Sequence, residues 1–461
     1  MENFHLHDLI NAVGGEFLLG DPHLNVVRVS TDTRTIHKGD TYISLAGKNF
    51  DGHNFLKEAI EKGAAILVIS KHDIELGNPF PVMPAIIRVA DTTRALGDMA
   101  AAYRKKFNIP VVGITGTNGK TTTKQILTAI LERRAPALST EGNLNNQIGL
   151  PMTLLNLNAK HAFAVIEMGT SYHGEIKRLC EIAKPTVGII TNIGVAHLNN
   201  FVNQEGVFLE KKSLLESLTS GGCAVLNIDD HYLAKLQDTL TCETITFGFT
   251  GRAQVSAMNL KMWPGFPQFD LVINQQSVHI KMPVYGNFNV YNAMSAAAAA
   301  FKLGFTLEEI RAGIESFKPA AMRMEVKELM SNNITVINDA YNANPSSMRE
   351  AISSLFQSFT DREILLVLAD MLELGVGAEQ EHAQLGEFLK AQPGCRILFY
   401  GPLMQKAYLA AENADSKHFT DMHKFLAELE RSLRPGMVVF FKGSRAMKLE
   451  TAARKVMGRE G

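Results

Sequence analysis

Cysteine is scarce in this chain of 461 residues, which contains only four, and they lie far apart. None forms a CxxC pair or has the spacing of a zinc site, so the sequence predicts neither a disulfide framework nor a structural zinc centre. Scattered reduced thiols are typical of cytosolic proteins, and we expect this chain to work in the cytoplasm. The cysteines are Cys180, Cys223, Cys242 and Cys395.

Long apolar runs and an excess of charge are also missing. No stretch approaches the roughly 20 apolar residues of a membrane-spanning helix, and the N-terminus lacks a basic start followed by a long apolar core. We therefore expect no export signal and no integral membrane protein. Lys and Arg total 46 and Asp and Glu total 47, which gives a net charge of −1. This balance excludes a general nucleic-acid binder, and any anionic ligand requires a local site.

The composition that remains is ordinary for globular proteins, with 46% hydrophobic and 20% charged residues. A length of about 150 residues per domain suggests three domains. Strand-like and helix-like patterns alternate along the chain, which predicts an α/β protein. The predicted units are a small α/β domain over 1–90, a central domain with a parallel sheet covered on both faces over 91–318 and a domain of doubly wound type over 319–461.

Hydrophobic patterning places the main elements of these domains. Helices are predicted over 54–62, 92–107, 205–218 and 289–303, with another from residue 307, and a β-meander over 253–283. The predicted strands are 26–29, 42–45, 65–69, 85–89, 111–115, 162–167, 187–192, 224–228, 244–247, 335–338, 364–368, 396–400 and 437–442.

A glycine loop between a strand and a helix is the strongest motif. The strand 111–115 leads into Gly116-Thr117-Asn118-Gly119-Lys120-Thr121-Thr122, which opens a helix. Backbone N–H groups in such a loop converge on phosphate oxygens, Lys120 would reach the β- and γ-phosphates, and the Thr121 hydroxyl would help to hold Mg²⁺. The strict Walker A spacing is not met, because Ile114 stands where the first glycine belongs; an ordinary glycine turn is the alternative.

Two further residues at strand ends are candidate metal ligands. Glu167 ends one predicted strand, and His197 follows the strand 187–192. Open α/β sheets bind ligands outside the carboxyl ends of their strands, which favours a metal site for the pair. Taken singly, Glu167 can be a helix or turn cap and His197 an ordinary loop histidine.

Lys211 lies on the apolar face of the predicted helix 205–218, beside Val207 and Leu214. A lysine in such surroundings has a lowered pKa and a nucleophilic neutral amine. On the pattern alone, a side chain that extends its ammonium to solvent is the simpler interpretation.

These motifs together resemble the Mur ligases, and their order covers nearly the whole chain. The runs that carry the resemblance are TGTNGKTT (115–122), GNLNNQIGLP (142–151), EMGTSYHGEI (167–176), TNIGVAHL (191–198), DAYNANPSSM (339–348), DMLELG (370–375) and KGSRAMKLE (442–450), with STDTRTIHKGDTYISLAGKNFDGHNF (30–55) near the N-terminus.

The resemblance implies one domain each for a UDP-sugar (1–90), for ATP (91–318) and for the incoming dipeptide (319–461). It implies that the central domain is a doubly wound, P-loop ATPase-like domain and that the C-terminal domain is Rossmann-like. It implies an ATP-dependent ligase that joins D-alanyl-D-alanine to UDP-MurNAc-tripeptide through an acyl phosphate, with two Mg²⁺ ions. The GNLNN and EMG…GEI runs favour this substrate pair over the sibling enzymes that add one amino acid and over a folylpolyglutamate synthetase-like enzyme. A P-loop switch or motor is the alternative from another class, but it usually takes its magnesium from a Walker B aspartate.

The resemblance also assigns roles to positions. Lys120, Lys211, His197 and Arg323 are implied as catalytic residues. The implied metal ligands are Thr121, Glu167, His197 and Lys211, the last carbamylated by CO₂. ATP contacts are implied for Gly116, Thr117, Asn118, Gly119, Lys120, Thr121, Thr122, Asn289, Asn292, Arg323 and Asp339. Substrate contacts are implied for Thr31, Asp32, Thr33, Arg34, Asn145, Asn146, Asn342 and Asn344.

The sequence departs from the family pattern at Phe288, where a histidine is usual, and at Asn338 and Ala369. Some assigned positions also have simpler interpretations. Asp32 and Arg34 can form a surface ion pair, Asn342 and Asn344 can shape the turn before Pro345, and 442–445 can be a solvated strand end. The third residue of the tripeptide and the group that deprotonates the amine stay open; we expect a monomer.

Overall fold

The computed structural model describes residues 1–47, 50–73, 82–195, 198–263, 265–392 and 394–458. Its strands form three separate sheets, each accompanied by helices, so the prediction of a three-domain α/β fold is confirmed. Each sheet lies inside one of the three predicted ranges, while the boundaries at 90/91 and 318/319 stay predictions. None of the helices in the described part of the chain is both long and apolar enough to cross a membrane.

The first sheet has five strands in the order β1-β5-β4-β3-β2. Only β1 is antiparallel to its neighbour, and the other pairs are parallel. Its strands are β1 (Glu16–Leu19), β2 (Val29–Ser30), β3 (Thr41–Ile43), β4 (Ile66–Ile69) and β5 (Ala85–Arg88). The helices are α1 (Leu6–Val13), α2 (Leu56–Glu61) and α3 (Thr92–Arg104).

The second sheet has nine strands in the order β14-β13-β12-β11-β10-β9-β6-β8-β7. Its strands are β6 (Val111–Thr115), β7 (Ala137–Ser139), β8 (Phe163–Glu167), β9 (Val187–Ile190), β10 (Cys223–Asn227), β11 (Glu243–Phe247), β12 (Val255–Met262), β13 (Pro267–Ile273) and β14 (Gln276–Lys281). The helices are α4 (Lys120–Leu131), α5 (Gly149–Leu154), α6 (Glu175–Ala183), α7 (Leu198–Phe201), α8 (Gln204–Glu216), α9 (His231–Ala234), α10 (Phe288–Lys302) and α11 (Leu307–Ser316).

Strand β6 lies between β9 and β8, and all three run parallel. The carboxyl ends of neighbouring parallel strands meet at one edge of a sheet, so the segments that follow β6, β8 and β9 converge there. The residues of β6 are all buried, as expected for a strand covered on both faces. Helices α4, α6 and α8 pack against β6, and the alanine-rich α10, whose small side chains allow close packing, contacts α4 and the strands β9 to β13. The predicted meander is formed by β12, β13 and β14.

The third sheet has six strands in the order β15-β16-β20-β17-β18-β19, parallel except for β15. Its strands are β15 (Glu325–Leu329), β16 (Ile334–Asp339), β17 (Ile364–Ala369), β18 (Arg396–Tyr400), β19 (Ser416–Phe419) and β20 (Val438–Lys442). The helices are α12 (Pro345–Ser358), α13 (Ala378–Lys390), α14 (Met404–Ala411), α15 (Met422–Ser432) and α16 (Glu450–Met457).

Candidate active site

The glycine loop after β6 has a backbone that other residues cannot easily adopt. Gly116 and Gly119 have φ values of 146° and 82°. A Cβ on Gly116 would lie 1.9 Å from Thr191 Oγ1, and one on Gly119 would lie 2.1 Å from Asn292 Oδ1. The two glycines therefore serve both the turn and the close approach of neighbouring segments.

The loop is held by the segment that follows β9. The Thr117 N–H donates to the Asn192 carbonyl at 3.0 Å, and the Asn118 N–H donates to Asn192 Oδ1 at 3.0 Å. Lys120 begins α4, and its Nζ donates to the carbonyls of Gly116 at 2.7 Å and Thr117 at 3.1 Å. The lysine thus folds over the loop, as required of a side chain that would meet a bound phosphate.

Lys120, Thr121 and Thr122 also line a cleft between the central and C-terminal domains. Burial lowers the pKa of Lys120; the carboxylate of Glu167 opposes this and the guanidinium of Arg323 adds to it. Lys120 and Arg323 therefore place two positive charges in this cleft.

Glu167 ends β8 in a buried, polar environment. Its Oε1 accepts a hydrogen bond from Asn145 Nδ2 at 2.9 Å, and its backbone N–H donates to Thr140 Oγ1 at 2.9 Å. Lys124 Nζ lies 3.4 Å from Oε2. Burial by itself raises the pKa of Glu167, but the cations Lys124 and Lys120 lower it below its usual range. The side chain is therefore a buried, ionised carboxylate.

The residues present fit a divalent cation at this end of the sheet. Glu167 Oε2 and Thr115 Oγ1 are buried and have no hydrogen-bond partner among the described residues. Hard oxygen donors of this kind suit Mg²⁺, which also keeps water and phosphate ligands. No group of three or more His, Cys, Asp or Glu side chains able to hold a metal occurs in the described ranges. His197, the other predicted ligand, lies outside the described residues.

Lys211 lies on α8 and is 4% exposed, so its ammonium does not extend freely into solvent. Burial lowers its pKa well below the usual value, and the positive charge of Lys120 lowers it further, while Glu210 offsets part of the effect. The simpler interpretation from the pattern, a side chain reaching out to solvent, is therefore wrong.

Asn289 and Asn292 lie at the start of α10, where both are almost fully buried. Asn289 Nδ2 donates to the Tyr285 carbonyl at 2.6 Å, and Asn292 Nδ2 donates to Asn289 Oδ1 at 2.8 Å. Phe288 lines the cleft beside them, and so presents an apolar ring where the family pattern has a histidine. The predicted base-binding residues are thus together, on the phosphate-loop side of the cleft.

Arg323 and Asp339 line the same cleft from the C-terminal domain. The Arg323 guanidinium lies 4.1 Å from the centre of the Tyr341 ring. Asp339, at the end of β16, accepts from the Met324 N–H at 3.2 Å and forms an ion pair with Lys442. Lys442 is only 3% exposed, so this part of 442–445 is not a solvated strand end.

The residues predicted to contact substrate fall into three groups. Asn342 and Asn344 line the cleft, and Asn344 Nδ2 donates to Asn118 Oδ1 at 2.7 Å. Asn145 contacts Glu167, whereas Asn146 accepts from the backbone N–H groups of residues 148 and 149 at the start of α5. Asn344 also caps α12, so its turn-shaping role is real as well.

Residues 31–34 lie in the first domain, away from the residues that line the cleft. Asp32 and Arg34 form an exposed ion pair, and Asp32 also accepts from the Arg34 backbone N–H. Thr33 is buried, and its carbonyl accepts from Lys62 Nζ at 3.0 Å. Thr31 precedes this turn. The surface ion pair is therefore present, and a substrate role for these residues stays a prediction.

Sequence reasoning missed Lys124, Thr140, Tyr341 and Glu350, of which the last two line the cleft. Lys124 had a detectable signal, because it lies four residues after Lys120 and therefore one turn further along the same helix face. Thr140 and Glu350 carry no signal in the sequence, since their positions depend on packing between distant segments.

Three family models match the chain in succession. The Mur ligase family catalytic domain matches residues 25–104, the Mur ligase middle domain 114–300 and the Mur ligase glutamate ligase domain 322–445.

Curated relatives named UDP-N-acetylmuramoyl-tripeptide–D-alanyl-D-alanine ligase match over nearly their full lengths. The relative from Haemophilus influenzae is 34% identical over 445 residues, which cover 94% of each chain. The relative from Bacillus subtilis is 35% identical, covering 92% of this chain and 91% of its own.

Solved structures of MurF proteins are also similar to this chain over nearly its whole length. MurF from Acinetobacter baumannii has a TM-score of 0.90 at 32% identity and 99% coverage of both chains. MurF from Thermotoga maritima in complex with ADP has a TM-score of 0.83 at 26% identity, covering 94% of this chain and 97% of its own. The chain belongs to the Mur ligase family, in the group of the UDP-N-acetylmuramoyl-tripeptide–D-alanyl-D-alanine ligases.

Proposed function

We propose that this protein joins D-alanyl-D-alanine to UDP-MurNAc-tripeptide with the hydrolysis of ATP, and so makes the UDP-MurNAc-pentapeptide precursor of peptidoglycan. The observation that carries the proposal is the set of residues at the carboxyl ends of the parallel strands in the nine-stranded sheet. There, a phosphate loop with Lys120 lines a cleft between two domains, and the buried carboxylate of Glu167 ends the neighbouring parallel strand β8.

The first step forms an acyl phosphate. The terminal carboxylate of the tripeptide attacks the γ-phosphorus of ATP, the bond to the β-phosphate oxygen breaks, and ADP leaves. Carboxylate and triphosphate repel each other, so the step requires positive charge placed beforehand. Lys120 on the phosphate loop and Arg323 on the opposite wall of the cleft supply that charge in our proposal.

The second step forms the amide. The free amine of D-alanyl-D-alanine attacks the activated carbonyl, and phosphate leaves from the tetrahedral intermediate. The acyl phosphate must be kept from water until then, which favours a cleft that closes over it. Asn118 of the phosphate loop already contacts Asn344 of the C-terminal domain, which supports such an arrangement.

Two Mg²⁺ ions would neutralise phosphate charge in this site. Thr121 and Glu167 would hold one of them, and His197 and carbamylated Lys211 would contribute the remaining protein ligands. The buried carboxylate of Glu167, at the end of the strand beside β6, supports the first part of this assignment.

The carbamate on Lys211 has a physical rationale in the site. The neutral amine attacks CO₂, an N–C bond forms, and one proton is released. The lowered pKa of Lys211 favours the neutral amine that this reaction needs. The product replaces a cation that Lys120 repels with an anion that Lys120 attracts.

The dipeptide has a candidate site next to the phosphate loop. A second hollow is lined by Thr117 and Lys120 on one side and by Leu374, Ser444 and Arg445 on the other. The Arg445 side chain is half exposed, and a guanidinium can bind a carboxylate through two hydrogen bonds. We infer that Arg445 binds the carboxylate of D-alanyl-D-alanine and thereby directs its amine toward the phosphate loop.

Residues 31–34 complete the proposal as part of the UDP-sugar site in the first domain. We also infer that the protein acts as a monomer in the cytoplasm, where ATP and its nucleotide-sugar substrate are made. A mass measurement in solution and cell fractionation test these two points.

The direct test supplies ATP, Mg²⁺ and UDP-MurNAc-tripeptide and measures phosphate with and without D-alanyl-D-alanine. We expect phosphate release to depend on the dipeptide and the product to have the mass of the pentapeptide. Phosphate release at the same rate with and without the dipeptide would contradict the ligase proposal and would fit a P-loop hydrolase instead. Parallel assays with tripeptides ending in diaminopimelate and in lysine identify the third residue.

A further inference from the structure

Lys124 is a buried cation that the proposed mechanism does not use. It lies in the first turns of α4, four residues after Lys120, so the two lysines share one face of the helix. Its side chain is 5% exposed, and its Nζ lies 3.4 Å from Oε2 of Glu167, whose side chain is 3% exposed. Two buried opposite charges of this kind are costly to separate.

The contact between the two charges is longer than the hydrogen bond that Lys124 makes elsewhere. Lys124 Nζ donates to the Thr140 carbonyl at 2.6 Å, whereas it lies 3.4 Å from Oε2 of Glu167. Thr140 Oγ1 in turn accepts from the Glu167 N–H at 2.9 Å, and Asn145 Nδ2 donates to Oε1. The carboxylate is thus oriented by neutral partners, while Oε2 has no hydrogen-bond partner among the described residues. Lys124 compensates the charge of Glu167 from the side of this oxygen.

The cation next to Oε2 of Glu167 is Lys124, whose Nζ lies 3.4 Å from this oxygen. Lys120 and Arg323 also act electrostatically on Glu167. A divalent cation that approaches Oε2 is repelled by the Lys124 ammonium, and the negative charge of a polyphosphate offsets this repulsion.

We propose that Lys124 is a positioning residue that holds Oε2 of Glu167 in a buried ion pair and so prevents this oxygen from taking a divalent cation before the nucleotide arrives. The metal then enters with the phosphates, and the empty site does not fill with free Mg²⁺. This inference rests on the proposed function, because it takes Glu167 as a metal ligand.

Mn²⁺ is the probe for the test, because unbound Mn²⁺ gives a strong electron paramagnetic resonance signal that binding removes. The unmodified protein is titrated without nucleotide and with saturating ADP, with ADP alone as blank and at fixed bicarbonate. We expect binding at least tenfold tighter with ADP. In Lys124→Met we expect nucleotide-free binding to tighten at least tenfold, so that the dependence on ADP shrinks.

Two variants serve as controls. Lys124→Arg keeps the charge and should behave as the unmodified protein. Lys302→Met removes the lysine that ends α10 and pairs with Glu243 of β11, and it should leave both titrations unchanged.

Two results overturn the inference: a folded Lys124→Met protein that binds Mn²⁺ no more tightly without nucleotide, or an unmodified protein that binds Mn²⁺ equally well with and without ADP. The second result decides the matter even where Lys124→Met does not fold. Failure of the proposed function looks different, because phosphate release would then be indifferent to the dipeptide, or Glu167→Gln would bind Mn²⁺ with ADP as the unmodified protein does.

Discussion

Lys211 allows a direct test of the proposed mechanism at a single residue. A buried ammonium close to the charge of Lys120 is unfavourable, and the proposed carbamylation would remove that conflict. We expect Lys211→Ala to lower dipeptide-dependent phosphate release by about a hundredfold or more, the range seen when a charge-stabilising group is removed. Acetate or propionate in the buffer should restore part of the rate, because a free carboxylate can occupy the space of the carbamate. Steady-state phosphate measurements with increasing acetate test this.

Lys212 provides the matched control for Lys211. It is the next residue on α8 and forms an i,i+4 pair with Glu216. Surface pairs of this kind contribute little, so Lys212→Ala should keep nearly the full rate. Full activity of Lys211→Ala, or a loss in both variants alike, would contradict a specific role for Lys211.

His382 is a buried residue whose effect should appear in stability. Its Nε2 accepts from the Met371 N–H at 3.0 Å, and its Nδ1 donates to the Ala378 carbonyl at 2.6 Å, so both nitrogens are used by the neutral ring. Burial lowers its pKa. The unfolded chain therefore binds a proton more readily than the folded one. The stabilisation is complete above the ordinary pKa of about 6.5 and is lost as the pH falls below it.

We expect the free energy of unfolding to fall by up to about 1.4 kcal/mol per pH unit below that value on account of His382. In His382→Gln, whose amide oxygen can accept from Met371, this part of the pH dependence should disappear. Urea unfolding followed by circular dichroism at pH 8 and 5.5 gives the comparison, since other titrating groups affect both proteins alike. The variant should be less stable at pH 8, with a gap that narrows at pH 5.5. An equal gap at both pH values would contradict the prediction.

Among the elements, the long buried ones follow from the sequence and the short edge ones do not. Strand β17, with six buried apolar residues, was predicted within one residue, as was the alanine-rich α10. The edge strands β1 and β15 were missed. β1 contains three apolar residues, Phe17, Leu18 and Leu19, but it is only four residues long and all of them are exposed. β15 is charged at three of its five positions and mostly half-buried, so neither strand has the longer buried apolar run on which the prediction depends. Their position is decided by pairing with β5 and β16, which are distant or follow after a turn.

The N-terminus of α6 is capped by a residue from another helix. Its N-cap is Gly174, which has no side chain to cap the helix. Glu210 of α8 does so instead, accepting from the N–H groups of Gly174 at 2.7 Å and Ile176 at 2.8 Å. Removing this 3%-exposed carboxylate leaves two backbone donors without partners, at about 1–3 kcal/mol each. We therefore expect Glu210→Ala to lower the free energy of unfolding by several kcal/mol.

Glu216→Ala is the control on the same helix, because Glu216 forms only the exposed pair with Lys212. Its effect should stay near zero. Glu210→Gln should fall between the two, since its amide oxygen can accept one of the bonds. Urea unfolding of the three variants gives the ranking. A Glu210→Ala protein as stable as Glu216→Ala would show that α6 is capped in another way.

At the scale of the whole molecule, the sequence predicted which residues form the site better than it predicted which of them contact one another. The glycine loop and Glu167 follow strands, so the parallel sheet brings them together as expected. The ion pair of Asp339 with Lys442 joins the ends of β16 and β20, which are neighbours in the sheet but about a hundred residues apart in the chain. No local pattern reveals such a pair, and the same holds for the contact of Lys124 with Glu167.

Ser346, in the first turn of α12, contributes to the interface between the central and C-terminal domains. Its Oγ accepts from Asn118 Nδ2 of the phosphate loop at 3.0 Å and donates to Asn344 Oδ1 at 3.0 Å. A hydrogen bond of this kind contributes about 0.5–1.5 kcal/mol, and we expect Ser346→Ala to lower kcat/KM for ATP about two- to tenfold. Thermal stability should change little, because the remaining interface persists through contacts such as Tyr285 stacked on Phe359.

Ser358→Ala tests whether the lower kcat/KM of Ser346→Ala comes from the interface between the domains. Ser358 ends the same helix and donates to the Ser354 carbonyl at 2.7 Å, so the variant also loses one side-chain hydrogen bond, but away from the phosphate loop. Its kcat/KM for ATP should match the unmodified enzyme. If both serine variants lose activity equally, the loss reflects α12 as a whole. If only Ser346→Ala does, the phosphate loop depends on the C-terminal domain for its position, and domain closure is part of ATP binding.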